Sequence, residues 1–180
     1  MAFTEKPRLI GTHAWFIQEG ETFTSPTAGT VSKTSKPDAA EVNLLHMGII
    51  ENMDIESTSE EIEVFGPAPG IMVLQDVLET KRQLNGTLKL KELTLLALQA
   101  VMKTDKLVGT SAEQFNPLLG KTIKGWLKLQ HYDGEDNSEV IRLDLYVHLK
   151  AQGISMGDTL VEPSLDFKTL YSDLNTGVGV

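Results

Sequence analysis

Cysteine is absent from the chain, which excludes disulfides, thiolate zinc sites and cysteine nucleophiles. Cations are few: 16 Lys and Arg stand against 25 Asp and Glu, a net charge of -9. That balance argues against a duplex-binding surface, which needs Lys and Arg for phosphate contacts. It argues equally against docking on an anionic membrane. It fits a surface that stays soluble and holds no nucleic acid. No apolar run approaches the roughly 20 residues that span a bilayer. The opening "MAFTEKPRLIGTH" has no hydrophobic signal-peptide core. A protein made and used in a cytoplasm is expected, unless it travels as part of an assembly.

Catalytic motifs are equally scarce. There is no Walker loop, no GxGxxG and no internal repeat. "GISMG", residues 153–157, has the spacing of a nucleophile elbow around Ser155. An elbow needs a helix after it. The next residues, "DTLVEP", have no helical pattern, so a Gly-flanked connection is expected and no enzyme. "DGEDNSEVIRLD" begins like a calcium loop, with Asp133, Glu135 and Asn137 at alternate positions. Ser138 stands where that loop needs Gly, and Asp144 where it needs Glu. A polar hairpin tip is the better reading. His13, His46, His131 and His148 lie in separate segments without the spacing of a metal pair. Only His131 and His148 could meet, across a predicted hairpin. No metal or cofactor is expected. Trp15 and Trp126 read as core or interface anchors.

Alternation, by contrast, is abundant. In "SEVIRLDLYVHLK", Ile141, Leu143, Leu145, Val147 and Leu149 share one face, and Arg142, Asp144, His148 and Lys150 the other. This predicts a strand with one wet face. "KTIKGWLKLQHYD" precedes it, and "DGEDN" joins the two into a hairpin. "RQLNGTLKL" puts Leu84, Leu88 and Leu90 inward. "LIGTHAWFIQ", "GIIENMDIE", "EIEVF" and "SLDFKTLYSD" supply further strands. One stretch, "ELTLLALQAVMKT", reads as helix, with Leu95, Leu98 and Met102 on a stripe beside Leu96. About 180 residues suffice for one domain with a real core. The expected fold is mainly β: a small sandwich or barrel with one flanking helix and a long extended loop.

That loop is residues 19–40, "EGETFTSPTAGTVSKTSKPDAA", which show no periodicity. Loops beyond about 12–15 residues are mostly functional or disordered. This one is expected to reach a neighbouring subunit through Phe23, Pro26, Thr30, Val31, Lys33, Lys36 and Pro37. Residues 51–74 come next, with six acidic side chains, no basic one, and a "GPAPG" break. Here Ile49, Met53 and Ile55 are expected to face the core, and Asn52, Asp54 and Glu56 to face away.

"EVNLLHMGIIENMDIESTSEEIEVFGPAPG" resembles the N-terminal half of bacteriophage major tail proteins, the tail tube subunits. The order of parts carries the resemblance: Leu45-His46-Met47-Gly48, the acidic run Glu51 to Glu63, Gly66-Pro67-Ala68-Pro69-Gly70, then "LETKRQLNGTLKLKELT" and the helix. The resemblance covers residues 40 to 105. It implies a structural virion protein, assembled in the host cytoplasm. Such subunits form rings, hexameric by resemblance, whose inner strands join into one β-barrel lumen that conducts DNA. Rings stack through a long loop and the termini. Implied partners are the chain itself and the tape measure, tail terminator and baseplate or tail-tip proteins. DNA passes without specific binding, and no membrane is involved. Candidate lumen-facing acids are Asp54, Glu56, Glu61 and Glu63, whose carboxylates repel phosphate. Candidate turn residues are Gly66, Pro67, Pro69 and Gly70. The competing readings are a small-molecule-binding β-barrel with an acidic rim, or a type VI secretion-like tube subunit.

Overall fold

Alternating apolar and polar side chains build most of this molecule from antiparallel strands. The computed structural model describes residues 11–38, 41, 43–91, 94–101, 122–133, 138–153 and 163–179. In chain order they form β1 (Gly11–Gln18), β2 (Thr22–Phe23), β3 (Gly29–Thr30), β4 (Leu45–Ala68), β5 (Ile71–Leu90), α1 (Leu95–Val101), β6 (Ile123–Tyr132), β7 (Glu139–Gly153), β8 (Ser164–Thr169) and β9 (Thr176–Gly179). Hydrogen bonds run β6-β1-β4-β5-β8-β7, and β6 also pairs with β7. Six strands thus close on themselves, and closure removes the edges an open sheet would leave. β9 adds to β7 at Ile141–Asp144, and β2–β3 make a small separate hairpin. The expected class, mainly β with one short helix, is the observed one.

The barrel interior is filled. Phe16, Met47, Leu88, Leu127, Leu165 and Phe167 are almost wholly buried there. Leu88 and Leu90 point inward as expected, with Leu84 packed at the margin. On β7, Leu145, Val147 and Leu149 are core, whereas Ile141 at the strand's start is exposed. α1 packs on β7 and β4. Thr94 caps it: the Ala97 N–H donates to Thr94 Oγ1 at 3.1 Å, and that hydroxyl donates to the Met47 carbonyl at 3.3 Å. Ala97, Gln99 and Ala100 are buried and Leu98 half-buried. Small residues let the helix lie close to the barrel. Met102, at the end of the expected stripe, lies outside the described residues, as do Ser155, Glu135 and Asn137.

Three expectations need correction. The outer face of β6–β7 is wet only toward its ends: Lys124 and Lys150 are exposed and Arg142 and His148 half-buried, but Lys128, Asp144 and Tyr146 are buried where residues 22–38 fold over them. "GIIENMDIE" and "EIEVF" are not two short strands but parts of the single 24-residue β4. β5 likewise starts at Ile71, well before the "RQLNGTLKL" alternation. Ile55 does not reach the core; opposite Gly86, at the margin of the barrel, it is 37% exposed.

Candidate assembly interface

β4 leaves β1 after Ile49, and β5 pairs with β8 only over Asn85–Lys89. From Ser57 and Leu84 outward to Ala68 and Ile71, the two strands pair only with each other among the described residues. At about 3.3 Å per residue this ribbon reaches roughly 35 Å from the barrel. Gly86 stands at its root, where a Cβ would meet the Phe167 ring at 2.4 Å and the Asp54 carbonyl oxygen at 2.6 Å. At the tip, Pro69 and Gly70 make the turn, with Gly70 at φ 82°. The candidate turn is therefore shorter than expected. Gly66 and Pro67 are strand residues opposite Val73 and Met72, and the Gln75 side chain lies across Gly66.

Bulges divide the ribbon's charge. Register shifts leave Thr80 and Gln75 as extra residues on β5, while β4 alternates without a break from Asn52 to Ala68. Asp54, Glu56 and Glu60 consequently share one face, and Glu61 and Glu63 the other. All four candidate lumen residues are exposed, yet they fall two and two on opposite faces. Toward the tip both faces turn apolar. Ile62, Val64 and Leu78 lie on the first, and Phe65, Met72, Leu74 and Val77 on the second. Ile62 is 56% exposed and Met72 62%. The ribbon's own polar links are slight. Lys81 Nζ reaches Glu60 Oε2 at 2.6 Å, Thr80 Oγ1 donates to the Glu60 carbonyl at 3.0 Å, and Arg82 Nε donates to Glu79 Oε1 at 3.0 Å. The Arg82 guanidinium holds the Glu79 carboxyl below its ordinary value.

An isolated two-stranded hairpin is only marginally stable in water. Among the described residues neither edge of this one pairs with another strand, and both faces of its outer half carry large apolar side chains. Monomeric soluble proteins rarely expose such a surface without a partner for it.

The segment 19–40 is placed differently from expectation. Phe23 and Val31 are buried against Trp126 and Tyr146 of the same chain, and Pro37 is buried. Trp126 Nε1 donates to the Ser32 carbonyl at 2.9 Å and the Ser35 carbonyl at 3.2 Å. Lys36 Nζ binds Asp144 Oδ2 at 3.2 Å. Ser172 Oγ donates to the Lys33 carbonyl at 2.6 Å. Glu41 anchors the arm's start: its carboxylate accepts from the Thr24 N–H at 2.7 Å, the Ser25 N–H at 2.8 Å and the Asn43 N–H at 3.1 Å. Burial alone would raise its pKa, but these donors and the Thr24 hydroxyl outweigh burial and lower it. Of the seven candidate contact residues, Pro26, Thr30 and Lys33 remain exposed. No periodicity marks this arm because it covers the barrel with a few scattered side chains rather than a repeating face.

The histidines pair otherwise than the hairpin suggested. His131 lies opposite Ile141 and His148 opposite Lys124, at different ends of the β6–β7 ladder. Instead His13 Nδ1 faces His46 Nε2 at 3.4 Å, beside Trp15 and Tyr132. The Gly48 N–H donates to His46 Nδ1 at 3.2 Å, so the proton of a neutral His46 sits on Nε2 and points at His13. That tautomer does not present both nitrogens to a metal. Among the described residues no group of three or more His, Asp or Glu is placed to hold one. Asp144, the twelfth position of the calcium-loop pattern, is instead committed to Lys36.

Nearby, Trp15, Glu41, Leu44, Lys128, Gln130 and Arg142 line a cleft of ≈ 190 Å³. Ligand pockets start at about 300 Å³. Burial pushes the pKa of Lys128 down, against the pull of Asp144, whose Oδ2 lies 3.9 Å away. The cleft lies where residues 41 and 44 meet the barrel wall. No helix among the described residues is long and apolar enough to cross a membrane. No protein-family model matches the sequence, and no curated protein matches it.

Proposed function

We propose that this chain is a self-assembling tube subunit, a structural protein of the phage virion whose copies close into stacked rings around a channel for DNA. One observation carries the reading: a two-stranded ribbon stands clear of the barrel, open along both edges among the described residues and apolar on both faces near its tip. Neighbouring ribbons that pair edge to edge would continue one sheet around a ring and remove every open edge. The split of the acids refines the channel. Asp54, Glu56 and Glu60 line the lumen if their face turns inward, and Glu61 and Glu63 then face outward at the next level of the wall. Carboxylates on the inner face keep phosphate from sticking. Ring number and the tail partners rest on the sequence resemblance, and a type VI-like tube would use the same ribbon.

The small-molecule barrel has less support. That reading needs an apolar cavity, and large side chains fill the barrel interior. The test is truncation. Replacing residues 62–78 by Asn-Gly, which joins Glu61 to Glu79 through a tight turn, should leave the barrel's melting temperature unchanged. Light scattering and negative-stain microscopy should then find rings or filaments for the parent and only monomer for the truncation. A parent that stays monomeric and retains a small molecule would favour the barrel reading instead.

A further inference from the structure

The ribbon's two edges differ in charge. Along β4, Asp54, Glu56, Glu60, Glu61 and Glu63 are exposed and no cation accompanies them. Between residues 51 and 84 the only cations are Lys81 and Arg82, adjacent on β5. We infer that copies of this chain add head to tail, the β5 edge of one ribbon against the β4 edge of the next, with Lys81 and Arg82 of one copy set against Glu60 and Glu61 of the other. This rests on the ring reading, which sets β4 against β5, and names the charged side chains that meet across that seam.

Three pairings of open edges are available. A two-fold pairing through β4 brings acidic edges together, and like charges directly opposite destabilise a strand pair. A two-fold pairing through β5 joins the cations to each other or to the sparse acids Asp76 and Glu79. Only the unlike pairing sets cations against the densest acids. It also has the right geometry. Within one ribbon Glu60 lies opposite Lys81. Rotation about a ring axis preserves height and strand sense, so β5 of one copy runs antiparallel to β4 of the next, with the same residues at about the same level. Unlike edges give a heterologous contact, the kind that closes rings or grows filaments. The existing links do not block it. The Lys81–Glu60 pair leaves the two side chains 72% and 65% exposed, and exposed pairs are weak enough to be shared.

The test uses two double variants of the full chain. One carries Lys81→Glu and Arg82→Glu, the other Glu60→Lys and Glu61→Lys. Each alone should lose the rings seen for the parent while keeping its melting temperature, because the ribbon touches little of the core. Mixed one to one, the two should assemble again, since they can alternate around a ring with every contact restored. Mixing cannot repair the Lys81–Glu60 pair within a copy, so rescue isolates the contact between copies. Assembly of either variant alone, or failure of the mixture while the parent assembles, overturns the contact of Lys81 and Arg82 with Glu60 and Glu61 and leaves the ring reading standing. A parent that forms no multimer overturns both.

Discussion

Trp126 donates its indole N–H to the carbonyl oxygen of Ser32 at 2.9 Å, tying the middle of β6 to a segment 94 residues earlier. The bond joins a fully buried ring to the arm that buries it, so arm and barrel should melt together. Trp126→Phe removes the donor from two carbonyls and should cost about 1–3 kcal/mol. Deleting residues 21–38 uncovers Trp126 and Tyr146 and should lower the melting temperature by roughly 5–10 °C, the shift expected for a loss of about 2–3 kcal/mol at this size. Calorimetry reads both. An unchanged transition in the deletion would mean that the arm's intrachain contacts are idle and that it is free for a neighbour.

Glu41 sets an acid limit on the same arm. Its pKa in the fold lies below the ordinary carboxylate value, because backbone donors favour the charged form more than burial penalises it. A depressed carboxyl stabilises the fold fully above its unfolded pKa, near 4. That stabilisation is lost as pH falls through the lower folded value. The protection of the Thr24 and Ser25 amides relative to their intrinsic exchange rates should therefore hold from pH 7 to about 5 and fall only in the acid range below 4. Glu41→Gln should make exchange fast at pH 7. Equal protection in parent and variant would remove Glu41 from the anchor.

Asp144 and its buried neighbour Lys128 should respond unequally to loss of their charge. Asp144→Asn strips a counter-charge from Lys36 and from the buried Lys128 and should cost about 3 kcal/mol, as breaking a buried pair does. Lys128→Met removes a buried ammonium 3.9 Å from its carboxylate and leaves Lys36 in place. Chemical denaturation should find it within about 1 kcal/mol of the parent, or more stable, because a packed hydrophobe replaces a desolvated charge. A loss as large as that of Asp144→Asn would show that Lys128 matters as a charge.

Period-two alternation made the barrel legible, since each barrel strand hides one face: Leu143, Leu145, Val147 and Leu149 declare β7 on sight. The ribbon was half hidden for the opposite reason. With neither face buried by its own chain, residues 71–81 need no alternation, and "IMVLQDVLETK" shows none. "GPAPG" marked the reversal, but the break belongs to Pro69 and Gly70 alone. The β5 bulges at Thr80 and Gln75 left no composition signal, so the split of Asp54 and Glu56 from Glu61 and Glu63 required β4's unbroken parity to be seen in a real pairing. The arm misled because Phe23 and Val31 are eight residues apart in a polar segment, too sparse to announce a core. His13 and His46 meet only through the register of β1 on β4, which sequence spacing does not carry.

Hydrogen exchange along the ribbon tests the central claim most directly. In the monomer, amides between Ser57 and Leu84 that point away from the partner strand have no acceptor on another strand among the described residues and should exchange within seconds, while the inward ones of β4–β5 exchange more slowly. In the assembled state the outward amides of both edges should become protected together, by a hundredfold or more, alongside those of Leu88 and Leu127 that are slow throughout. Rings whose ribbon edges exchange as fast as in the monomer would contradict the account, because the copies would then be joined by some other surface.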